Sequence, residues 1–525
     1  MAFRSLYPDV AIPEISLPAF TLERAEARGD KPALIDGPSS RTITYRQLAN
    51  LVGRAATGLA GRGFKKGERL ALYSPNVPEY AVAFHAVACL GGVLTTVNPL
   101  YTAGELAKQL NDSGARFLLT VPAFLATARE AAAQSKVEEI FVFGEADGAT
   151  PFTTLLAAEP RPPKVAIDPR RDLLALPYSS GTTGLPKGVM LTHHNLVAEL
   201  CSLEGVTDAA LITPEDTVLA FLPFFHIYGI VAFLNLSLHL GATVVTMPRF
   251  DFEQYLQLVQ KYRVTILHVV PPIVLALAKH PIVANYDLTR VRGVFSAAAP
   301  LSQTVADALF ERVGLRVSQA YGMTEVSGAS HLGPMTPEAI KPASGGRLMP
   351  TVECRVVDTA TGADLGPGEQ GELLLRGPIV MQGYLNQPAA TAATIDAQGW
   401  LRTGDIGYVD ADGDFFIVDR TKELIKYKGL QVAPAELEAV LLGHAAVADA
   451  AVIGIADAEA GEVPKAYVVR KGQITAEEIM AYVTERVAPH KKIRAVEFVD
   501  QLPKSATGKL LRRVLVERER TRPAA

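Results

Sequence analysis

The stretch LLALPYSSGTTGLPKGV, residues 173–189, joins an apolar run to a loop suited to anions. The run LLALP is typical of a strand buried between other elements. The loop holds hydroxyl residues, glycines and Lys187, so backbone N–H groups, hydroxyls and one cation can approach phosphate oxygens. It is not a Walker loop, because Lys187 follows Pro186 and precedes Gly188 instead of Ser or Thr. Taken alone, the stretch predicts either a phosphate-binding loop after a strand or an ordinary Gly-rich turn.

Helical and strand patterns alternate on both sides of this stretch. Thr44 has the spacing of a capping box before a helical apolar face, and short apolar runs at 69–73 and 116–121 indicate buried strands. After residue 210, the runs TVLAFLP, ATVVTMP, VTILHVV and VRGVFSA are candidate strands. This alternation favours an α/β architecture of layered, largely parallel sheets. Residues 136–171, rich in Pro, Ala and Glu, are predicted to be a surface connection.

The composition changes near residue 350, which indicates a second kind of unit. Residues 352–413 are rich in Gly, β-branched residues and turn signals, and they predict a small β-rich subdomain of short antiparallel strands. After residue 419 a smaller α+β unit is expected. Pro434 fits the first turn of one of its helices, and Thr475 begins a capping box for another.

The overall composition limits the class of protein. The 525 residues carry 51 Lys and Arg against 55 Asp and Glu, which gives no reason to expect binding to nucleic acid or an anionic membrane. Cys89, Cys201 and Cys354 are too few and too widely spaced for a disulfide framework or a structural zinc site. The apolar window 229–247 is interrupted by polar residues, and the start lacks a signal-peptide pattern, so no membrane span is expected. We therefore expect a soluble cytoplasmic protein, either a monomer or a homodimer.

Six motifs along the chain resemble, in order, those of the adenylate-forming superfamily of acyl-CoA synthetases, adenylation domains and luciferases. They are YSSGTTGLPKG (178–188), FLPFFHIYG (221–229), QAYGMTE (319–325), WLRTGD (400–405), DRTKELIKYKGLQVAPAELE (419–438) and PKSATGKLLRR (503–513). Within the superfamily the chain is most similar to the branch of 4-coumarate:CoA ligases and their fatty acyl relatives. The resemblance implies an N-terminal AMP-binding domain over residues 1–418, a hinge at 419–422 and a mobile C-terminal domain over 423–525.

The same resemblance implies a two-step ligation of a carboxylic acid to coenzyme A. The carboxylate attacks the α-phosphorus of ATP and releases pyrophosphate, and the thiol then displaces AMP from the acyl-adenylate. Because a carboxylate and a triphosphate repel each other, the site must supply positive charge where they meet. Lys509 resembles the lysine that bridges the two groups, and Glu325 resembles the residue that holds Mg²⁺. One pocket cannot hold both the lysine and the thiol beside one carbonyl, so rotation at the hinge residue Lys422 is expected.

Further site residues follow from the resemblance. The candidate ATP and AMP contacts are Ser179, Ser180, Gly181, Thr182, Thr183, Gly184, Lys187, Gln319, Ala320, Tyr321, Gly322, Thr324, Asp405 and Arg420. Tyr321 is expected to stack on adenine, and Asp405 and Arg420 to contact ribose. The catalytic candidates are Lys509, His226, Lys426 and Gln431, and Lys428 and Gly429 are the candidate coenzyme A contacts. Without the motifs around them, Lys509 is more typical of a basic tail and His226 of a protein core.

The acyl pocket is expected at Ile227, Tyr228, Val231, Phe295, Ala297, Ala298, Ala320, Gly322, Gly328 and Ala329. None of these side chains is charged, which predicts an apolar acyl group and argues against an amino acid substrate. Ala297 and Ala320 replace glycines that are frequent in the family, and their methyl groups narrow the pocket. The substrate expected is cinnamate or 4-coumarate. The alternatives are a medium-chain fatty acyl-CoA synthetase, a stand-alone adenylating or luciferase-like enzyme, and a non-catalytic binding protein or simple ATPase.

Overall fold

The computed structural model of the chain describes residues 2–179, 186–207, 212–336, 338–341, 343–428, 430–457, 459–505 and 508–521. Within these ranges the strands form three sheets, two of them from residues up to 420 and the third from residues after 424. The predicted α/β fold, with a large N-terminal domain and a separate C-terminal domain, is therefore confirmed. The limits 1–418, 419–422 and 423–525 stay predictions.

The first sheet contains the strand expected from the stretch at 173–189. Its strands, in spatial order, are Gly383–Tyr384, Lys187–Thr192, Leu173–Ser179, Val93–Thr96, Arg69–Tyr73, Phe117–Thr120, Glu139–Val142 and Thr150–Pro151. Leu173–Ser179 runs parallel to Val93–Thr96 on one side and antiparallel to Lys187–Thr192 on the other. The centre of the predicted phosphate-binding motif connects the two antiparallel strands. Its residues Ser180, Gly181, Thr182, Thr183 and Gly184 lie outside the described residues.

The second sheet joins a mainly parallel half to an antiparallel half. Its strands, in spatial order, are Phe3–Arg4, Glu353–Val357, Gly371–Arg376, Leu401–Val409, Asp414–Arg420, Gly346–Leu348, Gly328–Leu332, Val317–Met323, Gly293–Ser296, Ile266–Val269, Thr217–Ala220, Thr243–Thr246, Pro32–Asp36 and Thr42–Thr44. The four strands expected after residue 210 are confirmed in the parallel half. The two halves meet at Val317–Met323, which has a parallel neighbour on one side and an antiparallel neighbour on the other.

The helices of the N-terminal domain connect these strands. They are Leu17–Thr21, Ala25–Arg28, Tyr45–Gly61, Pro78–Cys89, Ala103–Ser113, Leu125–Ala132, His193–Glu204, Ile227–Gly229, Leu238–Leu240, Phe252–Lys261, Pro271–Lys279, Gln303–Val313 and Pro388–Thr394, with 3₁₀ turns at Pro122–Phe124, Phe152–Ala157, Pro281–Asn285 and Thr324–Val326. The capping box at Thr44 is confirmed, because its hydroxyl accepts a hydrogen bond from the backbone N–H of Gln47 and its own N–H donates to the Gln47 side chain. In the described ranges, no helix has the length and apolar character that crossing a membrane requires.

The apolar window 229–247 contains a fully buried π-helix, Ile230–Ser237. The amide of Asn235 donates to the carbonyl of Ile230 at 2.8 Å. The hydroxyl of Ser237 donates to the carbonyl of Ala232 at 2.6 Å. Both bonds reach back five residues, the spacing of a π-helix. Such segments occur frequently at functional sites.

The C-terminal domain has its own sheet and core. The strands Leu430–Val432, Ile425–Tyr427, Gly461–Arg470 and Val447–Asp457 lie in this order, and Ala495–Phe498 pairs with Gly461–Arg470. Its helices are Pro434–Leu442, Ala476–Thr484 and Arg512–Arg520, with a 3₁₀ turn at Pro489–Lys491. Pro434 in the first helical turn and the capping box of Thr475 are both confirmed. Leu437, Leu441 and Ile479 are buried in a cluster separate from the N-terminal core.

The interpretation of residues 136–171 as a surface connection is wrong for residues 139–157, whereas residues 158–171 form no helix or strand. Glu139–Val142 joins the first sheet beside Phe117–Thr120. The turn Phe152–Ala157 packs against the helix Tyr45–Gly61. Glu139–Val142 is only four residues long, which is too short to show a periodic pattern. The composition of the segment therefore did not indicate a strand.

Gly58 and Gly61, in one helix, provide a matched test of this packing. A Cβ atom on Gly58 would lie 2.3 Å from the carbonyl oxygen of Leu155, whereas one on Gly61 meets no described atom within 4 Å. We expect Gly58→Ala to lower the free energy of unfolding by about 1–3 kcal/mol through overpacking. Gly61→Ala should leave it unchanged or raise it by up to ~1 kcal/mol. Thermal unfolding followed by circular dichroism compares the two, and equal stability would contradict the packing.

Candidate active site

A cavity of about 590 Å³ collects most of the candidate residues from both domains. The sequence-predicted residues that line it are Ser179, Lys187, His226, Ile227, Tyr228, Val231, Phe295, Ala297, Ala298, Ala320, Tyr321, Gly322, Thr324, Glu325, Gly328, Ala329, Arg420, Lys422 and Lys509. Several of them come from Val317–Met323 and Gly328–Leu332, the strands at the junction of the second sheet. The junction therefore brings motifs that are distant in sequence to one site.

Asp405, Tyr321 and Arg420 form one hydrogen-bonded group beside the cavity. The hydroxyl of Tyr321 donates to Oδ2 of Asp405 at 2.6 Å, and Nε of Arg420 lies 3.5 Å from Oδ1. Asp405 and Arg420 are paired residues of adjacent antiparallel strands, which fixes their separation. Burial raises the pKa of the Asp405 carboxyl, and the cation of Arg420 opposes this shift. The group offers hydrogen-bonding side chains next to an aromatic ring.

Glu325 is the centre of a second polar group. Its Oε1 accepts hydrogen bonds from the hydroxyls of Ser179 at 2.8 Å and Tyr384 at 3.0 Å. The ammonium of Lys187 lies 4.7 Å from the centre of the Tyr384 ring, a cation–π arrangement. Ser179 and Lys187 flank the Gly-rich loop. One end of that loop therefore contacts Glu325 directly, and the other contacts Tyr384, which itself bonds Glu325.

The Glu325 carboxylate fits a magnesium ion that arrives with phosphate groups. Both neighbouring hydroxyls use Oε1, so Oε2 takes no part in these two bonds. Mg²⁺ prefers oxygen ligands and is usually held by one or two carboxylates together with water and phosphate. Over the described ranges no cluster of three or more His, Cys, Asp or Glu side chains could hold a metal by itself. This donor set suits an ion shared with a nucleotide.

Lys509 supplies a partly buried cation to the same cavity. Burial is the main cause of a pKa lowered to about 8, and the cation of Arg420 acts in the same direction. The carboxylates of Asp405 and Glu325 act in the opposite direction, but none of the described carboxylates forms an ion pair with the ammonium. The neighbouring Gly508 has φ +76°, and a Cβ atom there would lie 3.5 Å from Pro272. The turn that carries Lys509 thus lies against the N-terminal domain.

His226 lines the cavity near Lys509. Its Nδ1 accepts a hydrogen bond from the backbone N–H of Tyr228 at 3.2 Å. Burial lowers its pKa to about 4, and the cation of Lys509 contributes to the shift. His226 is therefore neutral at physiological pH, with Nδ1 acting as an acceptor.

Aromatic side chains line the cavity where the acyl pocket is predicted. The ring of His268 stacks on Phe295 with centres 5.7 Å apart and planes 17° apart. Its Nδ1 lies 3.2 Å from the hydroxyl of Tyr228. Burial lowers the pKa of His268 to about 4, so its imidazole is neutral. Flat rings on this wall suit an aromatic acyl group.

A strained loop after the strand Gly293–Ser296 completes this end of the cavity. Ala298 has φ +73°, a conformation that costs a residue with a side chain roughly 1–2 kcal/mol. Gln319 stabilises the loop, because its Oε1 accepts a hydrogen bond from the N–H of Leu301 at 3.0 Å and its Nε2 donates to the carbonyl at 3.4 Å. Gln319, a candidate nucleotide contact, therefore contacts the loop and is not among the lining residues.

Three other candidates also lie away from the cavity. Lys426 and Gln431 are exposed and paired across the hairpin of Ile425–Tyr427 and Leu430–Val432. Lys428 forms an ion pair with Glu459 on the C-terminal domain. Gly429 lies outside the described residues. The arrangement brings Lys509 to the cavity and leaves this hairpin outside it.

Sequence reasoning missed Glu199, His268 and Tyr384, which also line the cavity. Glu199 and His268 stand inside apolar runs, LVAEL and TILHVV, and a polar residue in such a run is the signal that could have found them. The positions named for the acyl pocket are uncharged, but they did not include Glu199, a lining residue from the helix His193–Glu204.

A cluster of largely buried charges lies next to residues 419–422, the predicted hinge. The guanidinium of Arg512 bonds both oxygens of Glu438, at 3.0 and 2.6 Å, and contacts Glu423. It also lies 3.9 Å from Asp419, whose Oδ2 accepts the N–H of Ala435 at 2.9 Å. Burial raises the pKa of the Asp419 and Glu438 carboxyls, and Arg512 opposes both shifts. The cluster ties the start of the C-terminal domain to its last helix.

Two family models match the chain. The model described as AMP-binding enzyme covers residues 22–385, and the one described as AMP-binding enzyme C-terminal domain covers residues 436–509.

Single proteins match over almost the whole chain. The sequence is 43% identical to 4-coumarate–CoA ligase 2 of Petroselinum crispum over 98% of this chain and 96% of that protein. The fold is similar to the anthranilate CoA ligase AuaEII in complex with anthranoyl-AMP, with TM-score 0.88 and 28% identity over 96% of this chain and 97% of that one. It is also similar to ATP-bound MatB from Rhodopseudomonas palustris, with TM-score 0.87 and 29% identity over 97% and 99%.

Arg512 and the adjacent Arg513 provide a test of this charge cluster. Arg512→Met leaves largely buried carboxylates unpaired, and we expect the C-terminal domain to lose about 3–5 kcal/mol of unfolding free energy. Arg513 is exposed, and among the described residues its ion-pair partner is Glu517 at 3.5 Å, so Arg513→Met should change the unfolding free energy by less than about 0.5 kcal/mol. Urea unfolding followed by hydrogen exchange in residues 430–520 measures both. Equal stability of the two variants would refute the assignment.

Proposed function

Because the chain belongs to the AMP-binding enzyme family and is an AMP-forming acyl-CoA ligase, we propose that it joins aryl acids such as cinnamate and 4-coumarate to coenzyme A. The names of the similar proteins support an aryl substrate, since one is a 4-coumarate–CoA ligase and another an anthranilate CoA ligase. The aromatic wall of Tyr228, Phe295 and His268 supports it as well.

The observation that carries the proposal is the partly buried Lys509 ammonium in a cavity shared with Glu325 and the aromatic wall of Tyr228, Phe295 and His268. In this cavity a triphosphate next to Glu325 and an acid next to Phe295 would meet at the lysine. The charge repulsion between the two anions is the main electrostatic obstacle to adenylation, and a positioned cation reduces it. An anion in contact would also raise the pKa of Lys509 above 8 and hold the lysine protonated.

In the first step, different residues of this chain contact different groups of the two substrates. Asp405 and Arg420 hold the ribose, and Tyr321 stacks on the adenine. Lys509 contacts both the carboxylate of the acid and the α-phosphate while the new bond to phosphorus forms and pyrophosphate leaves. Glu325 would hold Mg²⁺ together with the phosphates, and the ion would neutralise part of their charge.

The second step needs a different arrangement of the C-terminal domain. The hairpin with Lys426, Gln431 and Lys428 lies outside the cavity, so rotation about Lys422 would be required to present it. Such a rotation removes Lys509 from the carbonyl and makes room for the thiol of coenzyme A. The thiol then attacks the acyl carbon, and AMP leaves with the electrons of the broken bond. His226, at the end of the cavity near Lys509, would line the path of the pantetheine arm.

We also propose that the enzyme is cytoplasmic. The thiols of Cys89, Cys201 and Cys354 are free, which fits the reducing conditions of that compartment.

Magnesium is proposed as the metal, because the Glu325 site offers one carboxylate next to the expected position of the phosphates, a pattern typical of that ion.

The deciding experiment is a panel of acids assayed for AMP release with and without coenzyme A. We expect release of AMP with cinnamate and 4-coumarate that depends on coenzyme A and yields a thioester. A preference for octanoate over both aryl acids would favour the fatty acyl alternative. Turnover without coenzyme A would favour a luciferase-like or stand-alone adenylating enzyme.

Replacement of Lys509 separates the two half-reactions. We expect Lys509→Ala to slow formation of the acyl-adenylate by at least ~10², the loss typical of removing one transition-state charge stabiliser. Thioester formation from a supplied acyl-adenylate should be largely retained. Lys504→Ala is the matched control, because Lys504 is in the same segment and pairs with Asp449, away from the cavity. An equal loss in both half-reactions would refute the roles assigned to Lys509 and the hinge.

Replacement of Ala297 tests the map of the acyl pocket. Ala297 lines the cavity, and Ala297→Gly removes a methyl group from its wall. We expect larger ring-substituted acids, such as ferulate and sinapate, to gain about tenfold in kcat/KM relative to cinnamate. Ala299→Gly, in the same loop but not lining the cavity, is the control. An unchanged acid profile in Ala297→Gly would show that the map is wrong.

A further inference from the structure

A glutamate without a charged partner lines the acyl cavity. Glu199 comes from the helix His193–Glu204 and its side chain is fully buried. The neighbours along its helix are apolar, with Leu200 buried and Leu203 lining the same cavity. None of the described cations forms an ion pair with Glu199. Burying a carboxyl group in such surroundings is costly, and it calls for an explanation.

Only one of the two carboxyl oxygens has a partner. Oε1 accepts a hydrogen bond from the backbone N–H of Ala329 at 2.7 Å. Oε2 is buried and has no hydrogen-bond partner among the described residues. Oε1 therefore anchors the strand Gly328–Leu332. Oε2 has no such structural role among the described residues.

Gly328 makes room for this carboxyl group. A Cβ atom on Gly328 would lie 2.7 Å from Oε1 of Glu199 and 3.2 Å from Cγ2 of Val231. Gly328, Ala329 and Val231 are all acyl-pocket positions, and all three line the cavity. The carboxyl group thus occupies the space of a missing side chain in the acyl wall.

The protonation state of Glu199 follows from its surroundings. Burial raises its pKa well above the usual range, and the N–H of Ala329 opposes this only in part. Burial therefore favours the neutral, protonated carboxyl group over the carboxylate. In the protonated group Oε1 accepts from Ala329 and Oε2 carries the proton, so Oε2 is a hydrogen-bond donor with no acceptor among the described residues.

We propose that Glu199 is a specificity-determining residue that donates a hydrogen bond from Oε2 to a hydroxyl group on the ring of the acyl substrate. The inference rests on the proposed aryl-CoA ligase function and names the substituent that the pocket selects. A hydroxylated ring satisfies the buried donor. An unsubstituted ring or an alkyl chain leaves it unpaired, and the enzyme loses affinity for the transition state with such acids.

The test compares acids that differ only by one hydroxyl group. The kcat/KM values of cinnamate and of 2-, 3- and 4-hydroxycinnamate are measured in the coenzyme A-dependent assay. We expect the wild-type protein to prefer at least one hydroxylated isomer about tenfold over cinnamate, the value of one neutral hydrogen bond. Equal values for all four acids in an active wild-type protein would overturn the inference without any variant.

Variants then locate the donor. Glu199→Met keeps the volume but removes the donor, and the preference for that isomer should fall to about one. Glu199→Gln keeps an acceptor for Ala329 and a donor in place of Oε2, so the preference should stay within about threefold. Glu204→Gln, on the same helix, removes a carboxylate that pairs with His239 and should leave the preference unchanged.

The outcomes separate this inference from the proposed function. If Glu199→Met lowers the rates of all four acids by one common factor, Glu199 has only a structural role and the inference fails. If the wild-type protein activates none of the four acids, the proposed function itself fails. Loss of the preference in Glu199→Met together with its retention in Glu199→Gln supports the inference.

Discussion

The ammonium of Lys509, which is partly buried and has no ion pair among the described residues, is the constraint on which the site depends. Removal from water destabilises the charged form of the lysine, and the nearby cation of Arg420 destabilises it further. The pKa of the lysine is therefore lowered to about 8. Carboxylates of Asp405 and Glu325 lie near enough to act on that pKa but not to form an ion pair with the ammonium. No carboxylate of the described residues therefore neutralises the Lys509 ammonium directly. In the proposed reaction, the carboxylate of the acid and the triphosphate supply this negative charge.

The junction of the second sheet explains how distant motifs reach this cation. Val317–Met323 is the last parallel strand of one half and the first partner of the antiparallel half. Ligand sites of parallel sheets lie beyond the carboxyl ends of their strands. Here the antiparallel half adds Asp405 and Arg420 from two further strands. The strain at Ala298 and the supporting amide of Gln319 belong to the same junction, and strain of this kind is typical of functional sites.

The sequence was informative where a signal is local. Capping boxes at Thr44 and Thr475 and the apolar runs after residue 210 predicted elements that are present, because each depends on neighbours within a few residues. The strand Glu139–Val142 was missed because its burial depends on partners elsewhere. Glu199 was missed for a related reason, since only tertiary packing brings its helix to the acyl wall. The motifs located most cavity residues, but they could not say that Lys426, Gln431 and Lys428 would lie outside.

The turn that carries Lys509 has one more consequence. Ser505, Lys509 and Leu511 form part of the cavity wall, and Gly508 lies against Pro272 of the larger domain. In the proposed reaction, the segment that delivers the cation therefore also closes part of the chamber. Both reactants would then enter before this turn docks, and the mixed anhydride would be shielded from hydrolysis until the turn lifts. A single piece of polypeptide would thus govern both the protection of a labile intermediate and the timing of reagent entry.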